Sequence, residues 1–408
     1  MRVLDMNSLW LSASRAPVDT GEPPGETGVA IVGAGLLGVC CAYWLARMGA
    51  DVILLERDAV ASGATGRNSG LVIPTTAEPY DQAVGRLGAT VAAAVRRLAA
   101  EGARLLEQII AEEQLPCGYR SGGFLQLALD DEDAAQCHAE IGVTGHHGFE
   151  AAWLDRDTVQ SCLGTRLRDT IAGAMLLPGA TTNSVALVDG ILTAARRHGA
   201  RVFTGIRVTA VRPNDRHTVL DTTRGTLRAR VVVAAVNAWL SDLVPVLRTV
   251  IRPVQGQLIA TSPMPHMFPC GMAAQLTSHG EYWQQRPDGT ILLGGCRSVA
   301  PPPADPLVQR AQPEVHQALE HVLPTLFPDI GGIGVQRGWA GAMAFTPDWI
   351  PVVDEVAGSV WAIGGFCGHG MPFGASIGRI LAAHLVNGSP LAEVVHLGLS
   401  RPTLSATL

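Results

Sequence analysis

The chain contains no lysine: all 30 basic residues among its 408 are arginine. This excludes a Schiff base to pyridoxal phosphate and a phosphate loop of the Walker type, both of which need an amine. Charge is scarce as well, at 16% of residues, and the net value is −6. With no basic run, nucleic acid is not an expected partner. No two of the eight cysteines form C-x-x-C, and none of the twelve histidines falls in H-E-x-x-H. His146–His147 stand alone between glycines, so no metal is expected. Thiols so spaced read as reduced core residues of a cytoplasmic protein. The first 26 residues lack the apolar core of a secretory leader. One charge-free run, Gly28–Ala46, has the length of a membrane span. Its internal glycines and the acidic strand end beyond it give it another origin, and no membrane span is expected.

What is abundant is apolar surface: 47% of residues are hydrophobic. A chain this long exceeds one ordinary core and predicts two domains or one large α/β assembly. Val29–Val32 reads as a short buried strand, followed by G-A-G-L-L-G with Gly33, Gly35 and Gly38, an apolar helix to Met48, and a second strand closing on Glu56. This is the βαβ dinucleotide fingerprint in its full context. Gly33 permits the tight turn, Gly35 lets a pyrophosphate reach the backbone, and Gly38 lets the helix lie close on the strand. Leu36 and Leu37 complete a helix start whose positive end faces phosphate. Glu56 is spaced to accept from ribose hydroxyls, with Arg57 beside it. No second such fold occurs; in GGIG at 331–334, Arg337 stands where the third glycine should be. One site means NAD(P) or FAD, not both.

The small-residue run A-S-G-A-T-G-R-N-S-G at 61–70 favours a backbone wrapped around a bulky planar ligand. Ser62, Gly63, Ala64, Thr65, Ser69, Gly70 and the following Leu71 supply that wrap, and Arg67 and Asn68 are its polar handles. Near the end, CGHGMPFG lies between a strand at 359–363 and a helix from Gly374. Gly374-Ala-Ser376-Ile-Gly378 also matches the nucleophile elbow of hydrolases. The one acid that follows it is Glu393, with His396 close behind, so a small-residue helix start is the better reading. HGEYWQQRPDGTILLGG at 279–295 reads as a hairpin around a P-D-G turn.

Four blocks resemble the FAD-dependent amine and amino-acid oxidoreductases, the D-amino acid oxidase, glycine oxidase and sarcosine oxidase superfamily. They are GVAIVGAGLLGVCCAYWLARMGADVILLER, ASGATGRNSG, GWAGAMAFTPDWIPVV and AIGGFCGHGMPFGASIGRILAAHLVNG. The arm NSLWLSA, with Trp10, is also similar to the leading segment of amine-oxidising members and is expected to pack on the body. The resemblance implies an α/β fold: a Rossmann-like FAD-binding domain from 27–75, 185–240 and 335–390, and an interleaved α+β substrate domain, mainly an antiparallel sheet, from 76–184 and 241–334. Residues 1–26 form the arm and 391–408 a C-terminal tail. It implies that Val208 meets the adenine, that Ala235 and Trp239 line the same side, and that the backbone of Gly365, Gly368, His369, Gly370 and Met371 brings a helix N-terminus to the flavin. Gly341 falls where sarcosine oxidases tether FAD through cysteine, so FAD is expected to bind non-covalently.

The implied chemistry is hydride transfer to flavin N5 from a carbon bearing an amine, giving an imine, in a cytoplasmic enzyme with a small-molecule amine substrate. O2 is the expected acceptor, giving H2O2. A D-amino acid or imino-acid dehydrogenase using another acceptor is the alternative, and a redox-silent FAD-binding protein is the reading from another class. Tyr282, Trp283, Gln257 and Met343 are the candidate wall residues, with His369 as a possible acid–base group. Members acting on amino acids carry an arginine at or next to Met343. Its absence predicts an amine without an α-carboxylate, unless Arg252 or Arg286 reaches in.

Overall fold

The computed structural model describes residues 7–11 and 18–404; the rest of the expected arm and the end of the tail lie outside the described residues. Two eight-stranded sheets carry the fold. In the first, the path runs Val208–Pro213, Thr218–Thr222, Gly225–Ala234, Glu26–Val32, Val52–Leu55, Arg201–Phe203. Val360–Gly364 pairs with the second half of Gly225–Ala234, and Val352–Ala357 lies beyond it. The strands around the fingerprint pair in parallel. Glu26–Val32 reads as a continuous apolar run because both its faces are covered. Val29 and Ile31 point into the helical layer, whereas Ala30 and Val32 point into a second cluster with Phe203, Val208 and Leu220.

Helix Leu36–Arg47 is buried on nearly every side because two further helices, Ser184–Arg197 and Phe373–Asn387, pack against it. A side chain at Gly38 would run into Gly33 O, so the first turn lies directly on the strand end. No described helix is long and apolar enough to cross a membrane; the uncharged run is a strand, a turn and a core helix.

The second sheet follows the order Val335–Phe345, Arg252–Thr261, Ile291–Gly294, Glu281–Gln285, Gly271–Ala274, Phe124–Ala128, Gly173–Leu177, Ala152–Asp155. All its pairs are antiparallel except Gly271–Ala274 with Phe124–Ala128. The hairpin expected at 279–295 is its centre. One face packs on helix Pro313–Leu326 through Ile259, Leu293 and Trp283. The other faces the cofactor-type half through Leu258, Leu292 and Trp339.

Two segments depart from the expected division. Strand Val335–Phe345 was assigned with 335–390 to the FAD-binding domain, but it pairs along its length with Arg252–Thr261 and is an edge of the second sheet. Helix Ala89–Glu112 was assigned with 76–184 to the substrate domain, but it joins the core around Leu36–Arg47 and packs on Phe373–Asn387. Strand pairing and helix docking are decided by partners distant in sequence, which local pattern does not encode.

The tail is fixed by a buried ion pair. Arg401 donates to both Asp348 oxygens, Nε at 2.6 Å and Nη2 at 2.9 Å, and to four backbone carbonyls at 350, 351, 397 and 398. Burial alone would raise the Asp348 pKa, but the Arg401 guanidinium and the Thr403 and Thr346 hydroxyls bring it below the usual carboxylate range.

Two outcomes follow. Arg401→Met leaves Asp348 buried without its cation and lowers stability by about 3–5 kcal/mol. In wild type, because the folded pKa is depressed, the Asp348 contribution is complete above the unfolded carboxyl value of about 3.9 and is lost as pH falls through the lower folded value. Thermal unfolding from pH 7 downward should show that decline, and the variant should lack this component of it. Gly102→Ala, mid-helix in Ala89–Glu112, adds a methyl that meets Pro372 O and Ser376 Oγ. The overpacking cost of about 1–3 kcal/mol outweighs the helix-propensity gain of about 1 kcal/mol. A lower melting temperature for this better helix former is the expected result.

Candidate cofactor and substrate site

Three segments converge at the C-terminal edge of the parallel strands. At the first turn, helix Leu36–Arg47 begins at Gly35 with no side-chain cap and no acidic residue. Thr65 Oγ1 accepts from Leu36 N at 3.1 Å, so the 61–70 loop closes over this helix start. Glu56 is buried, and its carboxylate accepts from Ala34 N at 2.8 Å and Asp58 N at 2.9 Å. Burial raises its pKa, and the two N–H donors oppose the rise. Ile206 N donates to Glu56 O at 2.9 Å, which brings the strand beginning at Val208 alongside. Trp239 lies against Gly63 and under the Arg57 guanidinium, 4.1 Å from its ring centre. Ala235 abuts Gly33. Residues named from the sequence for the adenosine side thus form one cluster.

The 61–70 loop is held from outside. Trp339 Nε1 donates to Arg67 O at 3.0 Å, Trp10 Nε1 to Asn68 O at 2.7 Å, and Gln284 Nε2 to Ser69 O. Arg67 returns bonds to Ser62 O and Ala340 O, both at 3.1 Å, and its stem covers Gly341. Asn68 accepts from Gly70 N and Ser184 Oγ and donates to Met371 Sδ at 3.3 Å. That last contact joins the loop to the 367–371 segment. Leu71 continues into a short strand paired with Ala180–Thr181. Trp10 is 2% exposed, so the described part of the arm, residues 7–11, packs on the body as expected.

The 367–371 segment leads into helix Phe373–Asn387, which has no side-chain cap and no acid in its first turn. Gly365 N donates to Asn237 Oδ1 at 3.1 Å, and His369 N donates to Phe366 O at 2.8 Å. Gly370 packs on Phe366. Burial pushes the His369 pKa below its usual value, opposed by the Cys367 carbonyl near Nδ1. Burial also pushes the Cys367 thiol up to about 11.

Strand alternation sorts the wall candidates. Met343 faces this site, with its thioether beside Gly256 and within 3.5 Å of where a Gly368 side chain would begin. Tyr282 shares that face, its ring lying against Gly294. Burial raises the Tyr282 pKa and Arg297 draws it back. Two candidates are corrected. Trp283, adjacent to Tyr282, points the other way into an aromatic cluster with Phe268 and Phe327. Gln257 also lies on the far face, where Nε2 donates to Gln312 Oε1 at 2.8 Å and Oε1 accepts from Gln312 N at 2.7 Å, fixing the residue before helix Pro313–Leu326. Sequence reasoning missed Gln284, Trp339 and Arg297. For Gln284 the signal was there, since it alternates with Tyr282; Arg297 follows the strand end and carried none.

A glycine turn, a helix start with no acidic residue, a buried acid just after the next strand and a second helix start without an acid at the far end suit a dinucleotide with a ring at one end. These residues fit FAD.

The comparisons agree. A family model described as "DAO: FAD dependent oxidoreductase" matches residues 28–384. Gamma-glutamylputrescine oxidoreductase of Escherichia coli (strain K12) is 26% identical over 379 residues, covering 90% of this chain and 85% of that protein. Glycine oxidase of Geobacillus kaustophilus is 24% identical over 331 residues, covering 80% of this chain and 84% of that one. Among solved structures, L-proline dehydrogenase from P. horikoshii superposes with a TM-score of 0.80 at 20% identity, covering 92% of this chain and 97% of its own. The glycine oxidase structure gives 0.78 at 23% identity, covering 93% and 99%. With the fingerprint in place and the family model spanning nearly all of the described body, the chain belongs to the DAO family of FAD-dependent oxidoreductases.

Proposed function

We propose that this enzyme oxidises the C–N bond of a small amine or amino acid to an imine. The observation that carries the reading is the meeting of Met343 with Gly368 in the loop that leads into helix Phe373–Asn387, with Tyr282 on the same face of the sheet. The sequence has no second dinucleotide fingerprint, so we read the electrons as coming from the organic substrate. Bound FAD supplies the two-electron acceptor for hydride leaving the carbon next to nitrogen. The relatives support the same bond: their names include an oxidoreductase of a substituted putrescine and an oxidase of glycine.

The chain's own residues position and desolvate the substrate. Tyr282 and Met343 fix it laterally. His369, whose pKa burial lowers, is our candidate for the acid–base group of this loop. The positive end of helix Phe373–Asn387 stabilises negative charge developing at the ring end of the site. We read the acceptor as O2, with another electron acceptor as the alternative, and the enzyme as cytoplasmic; seven of the eight free thiols are buried.

Anaerobic mixing of the yellow holoenzyme with a panel of amines and amino acids should bleach the flavin absorbance with at least one of them; no bleaching by any member sinks the reading. Acid precipitation should leave the yellow colour in the supernatant, since Gly341 offers no thiol at the tethering position; colour in the pellet shows a covalent link. Stopped-flow mixing of the reduced enzyme with air-saturated buffer checks the acceptor. Reoxidation no faster than that of free flavin assigns electrons to a partner other than O2.

A further inference from the structure

Arg297 is a guanidinium without an anion. It begins the short turn that follows strand Ile291–Gly294, after Cys296 in the left-handed region at φ 53°. Its Cζ stands 4.9 Å from the ring centre of Phe345. Phe345 lies two residues beyond Met343 on the same strand, hence on the same face of the sheet. Among the described residues Arg297 makes no ion pair and no hydrogen bond, unlike Arg47, Arg86, Arg196, Arg286 and Arg401, which each have a carboxylate. It is neither free in water nor sealed in the core: part of its surface is covered and part is open. Tyr282 and Cys367 lie close enough to interact with its charge, as does His279; the first two belong to the substrate wall and to the 367–371 loop.

A partly desolvated cation with no partner is a standing cost unless something anionic arrives. The two arginines suggested by the sequence do not serve here. Arg286 pairs with Asp288 at 3.3 Å and stacks on Trp10 at 5.1 Å. Arg252 is exposed at the start of its strand. Met343 carries no charge, but the strand extension beside it does.

We propose that Arg297 binds the carboxylate of the substrate, with the Tyr282 hydroxyl as a second donor, so that the substrate class is an amine bearing a carboxylate. The anchor comes from the turn after the central hairpin and replaces the charge missing at Met343. This reverses the expectation of a carboxylate-free amine drawn from Met343 alone. It rests on the C–N oxidation reading for the amine half of the ligand only; the anion site stands on geometry.

The test uses holoenzyme and three proteins: wild type, Arg297→Met and Arg297→Lys, each checked for FAD content and melting temperature. Non-reacting carboxylates (acetate, propionate, benzoate) and their neutral amides are titrated anaerobically, and the flavin absorbance spectrum is followed. The carboxylates should perturb the wild-type spectrum saturably and the amides should not. Arg297→Met should weaken carboxylate binding about 10- to 100-fold, the loss of a charge-assisted bond, and Arg297→Lys should restore part of it. Unchanged carboxylate binding in Arg297→Met at full FAD content overturns the proposal and leaves Arg297 as packing on Phe345. Bleaching of wild type by carboxylate-free amines, with amino acids inert, overturns it while sparing C–N oxidation. Arginine-dependent carboxylate binding with no bleaching by any amine or amino acid upholds the anion site and overturns C–N oxidation instead.

Discussion

Consecutive carbonyls at Arg67, Asn68 and Ser69 accept hydrogen bonds from Trp339, Trp10 and Gln284. Buried carbonyls demand partners, and none of these donors belongs to the dinucleotide fold. One comes from the edge strand of the second sheet, one from the N-terminal arm and one from the central hairpin. The pairing therefore does two things together. It satisfies a loop too irregular to satisfy itself, and it sets the register of the substrate sheet against the parallel one. Tyr282, two residues before Gln284, and Met343, four beyond Trp339, are aimed by the same constraint, because alternation along a strand fixes every side chain once one is fixed.

The sequence was most legible where structure is local. Gly33 to Glu56 is a contiguous unit whose turn, helix and strand each have a chemical signature, and the P-D-G hairpin is another. The candidate site was less legible because facing depends on register. Trp283 and Tyr282 are neighbours with similar chemistry, and only the pairing of Trp283 with Leu293 shows which of them turns to the helix layer. Gln257 looks like a site residue until its partner Gln312, 55 residues on, is known. Val335–Phe345 borders the C-terminal FAD-type block in sequence, yet its hydrogen bonds go to Arg252–Thr261.

An all-arginine complement gives the interior a particular character. Arg401 meets Asp348 with a planar fork and spreads its remaining donors over carbonyls, a pattern a point-charge ammonium does not reproduce. Arg96, 2% exposed, lies 4.8 Å from the Tyr80 ring centre and 4.9 Å from that of Phe149. Arg297 lies over Phe345 in the same manner. Flat, weakly hydrated cations stack where lysine would seek water, so charge can be stored at depth beside aromatic faces.

The interleaved path has a consequence for how the chain is made. Glu26–Val32 is synthesised early, but one of its parallel neighbours, Gly225–Ala234, emerges some two hundred residues later, and Val360–Gly364 later still. The second sheet likewise waits for Val335–Phe345 before its edge is covered. Neither half is a contiguous unit that folds as it leaves the ribosome. The nascent chain therefore carries open apolar strands for most of translation, a state in which long-range pairing is slow and exposed edges invite association. Helix Phe373–Asn387, made after all of these strands, packs on both Leu36–Arg47 and Ala89–Glu112. Both sheets therefore close only after the strands at 335–345 and 360–364 have been made.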